Sequence, residues 1–121
     1  MKRATVLSLG FCATLAAAAL AANSRFSPME AVYEIAGESI VDPGPEEKKD
    51  RVAIYISGDA ARRIYKAMPV PEERVVCNSE GSPVREKTAG GLTCMGDEKG
   101  GYECGVRIKL DDGTTDNAFA C

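Results

Sequence analysis

Between Tyr102 and Leu110 the apolar side chains fall on every second position. Tyr102, Cys104, Val106, Ile108 and Leu110 share one face, while Glu103, Arg107 and Lys109 share the other. A period of two is the mark of a strand with one covered face. The preceding arm, Gly91 to Met95, puts Leu92 and Cys94 on a common face in the same way. Gly96-Asp97-Glu98-Lys99-Gly100 supplies a turn between the two arms. If that turn centres on Lys99, Cys94 stands opposite Cys104 and both point inward.

Upstream the period changes. Arg51-Val52-Ala53-Ile54-Tyr55-Ile56 is rich in β-branched and aromatic residues and predicts a strand. From Ser57 to Met68 the spacing becomes helical, with Ala60, Ala61, Ile64, Tyr65 and Met68 in one apolar stripe and Arg62, Arg63 and Lys66 mainly outside it. Ser57 is placed to cap this helix, Asp59 suits its electropositive first turn, and Pro69 stops it. Pro69 to Glu73 then reads as a rigid connector, Arg74 to Cys77 as a short strand, Asn78 to Pro83 as a turn-rich loop and Val84 to Thr88 as the approach to the hairpin. After the hairpin, Asp111-Asp112-Gly113 predicts a tight turn and Ala118 to Cys121 a last edge strand.

The segment before Arg51 carries two competing signals. Ser27-Pro28-Met29-Glu30 has the order of a helix start, predicting a short helix through Met29, Val32, Tyr33 and Ile35 that ends at Gly37. The alternative is an irregular arm that becomes a strand at Ser39-Ile40-Val41. Asp42 to Asp50, with two prolines, a glycine and a charge run, reads as an exposed connector. The expected class is α+β, with one main helix packed on an antiparallel sheet of four or five strands, stabilised by disulfides.

The extreme N-terminus changes the setting of that domain. Met1-Lys2-Arg3 precedes an uncharged run from Ala4 to Ala22, a secretory signal pattern in which Ala19-Leu20-Ala21 offers a cleavage site after Ala21. Cuts after Ala19 or Ala22 are the neighbouring options. Retention as an anchor is the competing reading, since the run approaches the roughly 20 residues needed to span a bilayer. The expected organisation is therefore a cleaved leader over 1–21, an N-terminal arm and linker over 22–50, and a small α+β domain over 51–121, exported to the periplasm or secreted. Cleavage removes two cations and leaves 13 basic against 18 acidic residues. That balance argues against a nucleic-acid partner, which needs a basic face.

Cleavage also discards Cys12 and leaves Cys77, Cys94, Cys104 and Cys121. An even number of cysteines in an exported chain predicts disulfides. The hairpin register favours Cys94–Cys104 with Cys77–Cys121. The other arrangement considered is Cys77–Cys94 with Cys104–Cys121. Zinc is disfavoured, because no C-x-x-C pair and no histidine occurs in the chain.

The same lack of histidine removes Ser-His-Asp and Cys-His nucleophile systems. No phosphate-binding or dinucleotide glycine pattern is present. Asp111, Asp112 and Asp116 form the nearest approach to a calcium loop, but their spacing matches no EF-hand. Glu46-Glu47, Glu72-Glu73 and Asp97-Glu98 are adjacent pairs in predicted loops, not carboxyls facing each other across a cleft. No residue is assigned a catalytic, metal or cofactor-binding role.

The segments SGDAARRIYKAM, KTAGGLTC and YECGVRI resemble a group of small exported proteins of Gram-negative bacteria, in which a Gly-Asp-Ala-Ala helix precedes a Gly-Leu-x-Cys/Tyr-x-Cys hairpin. The resemblance covers roughly residues 56–108. It implies a periplasmic setting and a helix-on-sheet fold, and brings no activity with it.

The expected function is binding to a macromolecule of the cell envelope without catalysis, as an inhibitor, immunity protein or accessory factor. The loops Asp97–Gly101 and Asn78–Pro83 are the contact surfaces first in line. The alternative is a small-ligand or envelope-surface binder, with a pocket between helix and sheet lined by Tyr55, Tyr65 and Tyr102. A hydrolytic enzyme is the least favoured class, and the oligomeric state is left open.

Overall fold

Cys94 and Cys104 are directly opposed residues of neighbouring antiparallel strands, their Cα atoms 4.0 Å apart and their sulfurs joined in a disulfide. The register is centred on Lys99, since Met95 pairs with Glu103 and Gly96 with Tyr102. This excludes the arrangement with Cys77–Cys94 and Cys104–Cys121. The expected second bridge, Cys77–Cys121, lies outside the described residues. A computed structural model of the chain describes residues 25–76 and 81–120, so the leader also falls outside them.

The elements in chain order are β1 (Glu30–Ala36), β2 (Arg51–Ser57), α1 (Gly58–Ala67), β3 (Glu73–Val76), β4 (Pro83–Ala89), β5 (Leu92–Gly96), β6 (Tyr102–Lys109) and the two-residue β7 (Thr115–Asp116). One antiparallel sheet holds every strand of the described residues, in the order β1-β2-β6-β5-β4-β3, with β7 paired to β6. The sheet is thus larger than the expected four or five strands. The described fold is sheet-dominated, with one helix among those residues packed across it.

Two strands account for most of the difference. Residues 30–36 form β1, paired with β2 along its whole length from Glu30–Ser57 to Ala36–Arg51, where the Ser27-Pro28 signal predicts a helix. A short isolated helix is marginal by itself, whereas β2 offers a full row of backbone partners and matching β-branched neighbours. Pro83–Ala89, expected only as an approach, is β4. Its sequence PVREKTA hides the strand period because its helix-side positions are Arg85 and Lys87. Their long stems cover apolar neighbours while the charged ends reach polar groups. Lys87 Nζ lies 5.0 Å from the Tyr65 ring centre and donates to Met68 O at 3.1 Å, at the helix C-terminus.

α1 leaves β2 abruptly. Ser57 occupies the N-cap position as expected, although its side chain makes no capping bond. Gly58 follows with φ +67°, a left-handed conformation that glycine adopts without a Cβ penalty. The helix then crosses the sheet over β2, β6 and β5. Ala61, Tyr65 and Met68 bury the predicted stripe against the disulfide, with Ile64 half-buried beside them. Arg62, Arg63 and Lys66 remain exposed.

The reverse face is also covered, which the alternation at β6 does not predict. There the C-terminal segment crosses the sheet. Arg107, assigned to the solvent side by its position, is only 7% exposed, and so is Arg51. Asp116 of β7 accepts from Arg107 Nε at 2.6 Å and from Arg51 Nε at 3.2 Å, while Asp50 takes Arg51 Nη1 at 2.6 Å. Arg107 Nη1 also donates to Gly37 O at 3.3 Å and Glu38 O at 2.7 Å. The Arg51 guanidinium is opposed by burial, yet the Asp116 and Asp50 carboxylates hold its pKa above the ordinary value.

This clasp brings the segment after β7 onto the sheet. Ala118 is buried, and Phe119 packs edge-on against Tyr55 with ring centres 5.8 Å apart. Residues 118–120 are therefore not the expected edge strand. The crossing is close: a Cβ on Gly91 would sit 2.5 Å from the backbone nitrogen of Asp116.

Candidate functional site

The three tyrosines proposed to line one pocket are divided between the two faces. Tyr55 belongs to the reverse face, donating to Ala118 O at 3.4 Å, while Tyr65 and Tyr102 lie under the helix with ring centres 5.2 Å apart. Strand alternation explains the split, because Ile56 of β2 is level with Cys104 and faces the helix, so Tyr55 must face away.

Tyr65 Oη donates to Glu72 Oε2 at 2.5 Å. Burial, and then the Glu72 carboxylate, push its phenol from 10.0 up to about 12. Above pH 10 the unfolded chain loses this proton while the folded chain holds it until about 12, so the bond's contribution is complete below pH 10 and fades above it. Urea unfolding midpoints are expected to fall between pH 10 and about 12, and to fall less steeply in Tyr65→Phe. Parallel pH curves for the two proteins would reject this reading.

The remaining polar candidates have local partners. In the 97–101 loop, Asp97 Oδ1 accepts from Lys99 N at 2.9 Å and Gly101 N at 2.6 Å, which closes the turn. The other expected contact loop, Asn78–Pro83, lies partly outside the described residues. Asp112 accepts from the backbone and hydroxyl of Thr114, at 2.9 and 2.7 Å, and these bonds hold its carboxyl below the usual range. Asp116 sits between two guanidiniums, and Asp111 is exposed. Of the acidic pairs, Glu47 accepts from Ser39 N at 2.5 Å and Glu72 serves Tyr65, while Glu46, Glu73 and Glu98 are exposed. On the helix, Arg62 is bonded to Asp59, which lowers the Asp59 pKa. Asp97, Asp112, Asp116, Glu72 and Asp59 are thus each engaged in holding their own surroundings.

What stands out is apolar. α1 crosses only one end of its face of the sheet. On the same face two rows continue past it: Tyr33–Ile54–Val106 and Ile35–Val52–Ile108. None of these six belongs to the core under the helix. Tyr33 is 73% exposed, Ile35 48% and the neighbouring Leu110 57%. The other four are half-buried. Contiguous exposed apolar surface of this kind is uncommon on monomeric proteins and is characteristic of interaction sites, whereas scattered exposed apolar residues are ordinary.

The strip runs to the free edge of β1. Edge strands are commonly blunted by lysine, proline, a bulge or short length. At the opposite edge β3 is four residues long and contains Glu73 and Arg74. β1 is seven residues long, pairs with β2 without a bulge, and contains no lysine, arginine or proline. Its only charges, Glu30 and Glu34, lie on the reverse face, level with Ser57 and Ala53. Beside its start, an open groove of about 450 Å³ lies against the first turns of α1, lined by Met29, Ser57, Ala60, Arg63 and Ile64 among others.

The helix-start signal at Ser27-Pro28 hides this surface in the sequence, because it assigns residues 30–36 to a helix. The available clue was Ala31, Tyr33 and Ile35, spaced two apart. Among the described residues no helix is long and apolar enough to cross a membrane. No known family model, curated protein or solved structure matches the chain.

Proposed function

We propose that the chain is an exported, non-enzymatic binding protein of the periplasm, which docks a protein of the cell envelope on the open half of its helix-bearing sheet face. One observation carries the reading: the two-row apolar strip across β1, β2 and β6, which no element of the described residues covers. The leader pattern supports export, and the Cys94–Cys104 bridge fits an oxidising compartment. The acidic charge of the mature chain disfavours nucleic acid. The pocket-based alternative loses its basis, because its three tyrosines do not share a face.

Two measurements test this. Intact mass of the periplasmic form is expected to start near Ala22, and a retained Met1 would contradict export by cleavage. A photo-crosslinker placed at Tyr33 in the exported protein is expected to give one discrete protein adduct, lost in the Ile35→Ser background. A crosslinker at Lys66, on the far side of α1, is expected to give none. Absence of any adduct from Tyr33 would defeat the docking reading.

A further inference from the structure

We infer that β1 is a β-augmentation site, which takes an extended segment of the partner as an added antiparallel strand with alternating apolar and basic side chains. This rests on the docking function proposed above and names the chemistry of its ligand. Three features of one strand point to it. Among the described residues its outer backbone groups have no strand beyond them, because β1 ends the sheet. Its side chains separate by face: Ala31, Tyr33 and Ile35 continue the apolar strip, while Glu30 and Glu34 are the only charges and both lie on the reverse face. Nothing in its length or composition guards the edge.

An added strand would place its own apolar residues beside Tyr33 and Ile35, extending the strip. Its alternate residues would stand beside Glu30 and Glu34, where lysine or arginine gains from charge pairing across strands. Main-chain bonds would supply affinity and the alternating side chains specificity. A second copy of this chain fits less well. Antiparallel β1–β1 pairing centred on Tyr33 sets Glu34 against Val32 of the second copy and brings the two Glu34 carboxylates onto one diagonal, with no cation on either strand.

The probe is a nine-residue peptide of alternating lysine and valine with blocked ends, added to the mature, oxidised protein. The control is the same peptide N-methylated at alternate residues, with equal charge but without the donors for strand pairing. Hydrogen exchange read by NMR is expected to show new protection at alternate amides of β1, with the control binding at least tenfold more weakly. Glu30→Lys/Glu34→Lys is expected to weaken the unmodified peptide at least tenfold while leaving the melting temperature within a few degrees. Equal binding of the two peptides, or protection appearing away from β1, would overturn the inference. So would concentration-dependent dimers that protect β1 without peptide, which would make the second copy the occupant. A Tyr33 crosslink to an envelope protein that survives Glu30→Lys/Glu34→Lys would overturn the augmentation alone. Loss of every Tyr33 crosslink in the unmodified protein would remove the docking function as well.

Discussion

Replacing Cys94 and Cys104 together by alanine is expected to lower the unfolding midpoint by about 12–24 °C. The bridge closes a loop with a sequence separation of 10, for which restriction of the unfolded chain corresponds to about 3 kcal/mol. In a domain of this size each kcal/mol is roughly 4–8 °C. Both residues are wholly buried beneath α1, with Cys104 Sγ 3.5 Å from Ala61 O, so lost packing adds to the lost cross-link. Far-UV circular dichroism melts of the oxidised proteins read the difference directly. A change below about 3 °C would mean that the bridge constrains little beyond what strand pairing already does. The same burial predicts slow reduction, so mild reductant at room temperature should leave the folded protein bridged.

The second large effect is expected at Asp116. Its carboxylate is shared by Arg51 and Arg107, each 7% exposed, and truncation to alanine leaves two cations on one diagonal between β2 and β6 without their shared acceptor. Removing one member of a buried ionic cluster costs far more than the intact cluster contributes, because the remaining charges stay desolvated. Asp116 is itself 37% exposed, so solvent moderates the loss. The midpoint is expected to fall by about 5–10 °C. The change should also loosen the crossing segment, visible as faster exchange of the Phe119 amide and loss of the ring contact with Tyr55. Asp116→Asn, which keeps the shape and one acceptor, is expected to lie between wild type and alanine. A variant melting with the wild type would show that the crossing segment is held by Ala118 and Phe119 alone.

These two sites differ in how visible they are in the primary sequence. Cys94 and Cys104 were legible because everything that pairs them is local: a two-residue period in both arms and a glycine-bounded turn. Asp116 shows in the sequence only as a member of the unmatched calcium-loop pattern, since its partners Arg51 and Arg107 lie 65 and 9 residues away. Arg107 was placed on the solvent face by the same alternation that correctly put Cys104 inside. Alternation assigns a residue to a face; it does not say whether another segment will cross that face.

The β1 edge shows the same limit from the other direction. Ser27, Pro28 and Glu30 are genuine helix-start signals, and Ala31, Tyr33 and Ile35 are genuine strand signals. The conflict is resolved only when β2 offers a full-length partner. Intrinsic preference for either state is weak, about a kcal/mol across the whole strand scale, so tertiary pairing prevails. β4 follows the same rule, its polar sequence becoming a strand because Arg85 and Lys87 roof the Tyr65–Tyr102 cluster.

By itself, then, the chain's order of residues determined the hairpin, its register, the disulfide within it and the helix that follows β2, because each depends on neighbours within a few residues. The tertiary structure alone decided how many strands join the sheet and which segment covers its reverse face. It also decided that, among the described residues, nothing covers half of the helix-bearing face or the β1 edge. Those outcomes turn on contacts between distant parts of the chain, where desolvation and backbone pairing outweigh local preference. The candidate docking surface belongs to this second group, since an open face exists only once the rest of the sheet has formed.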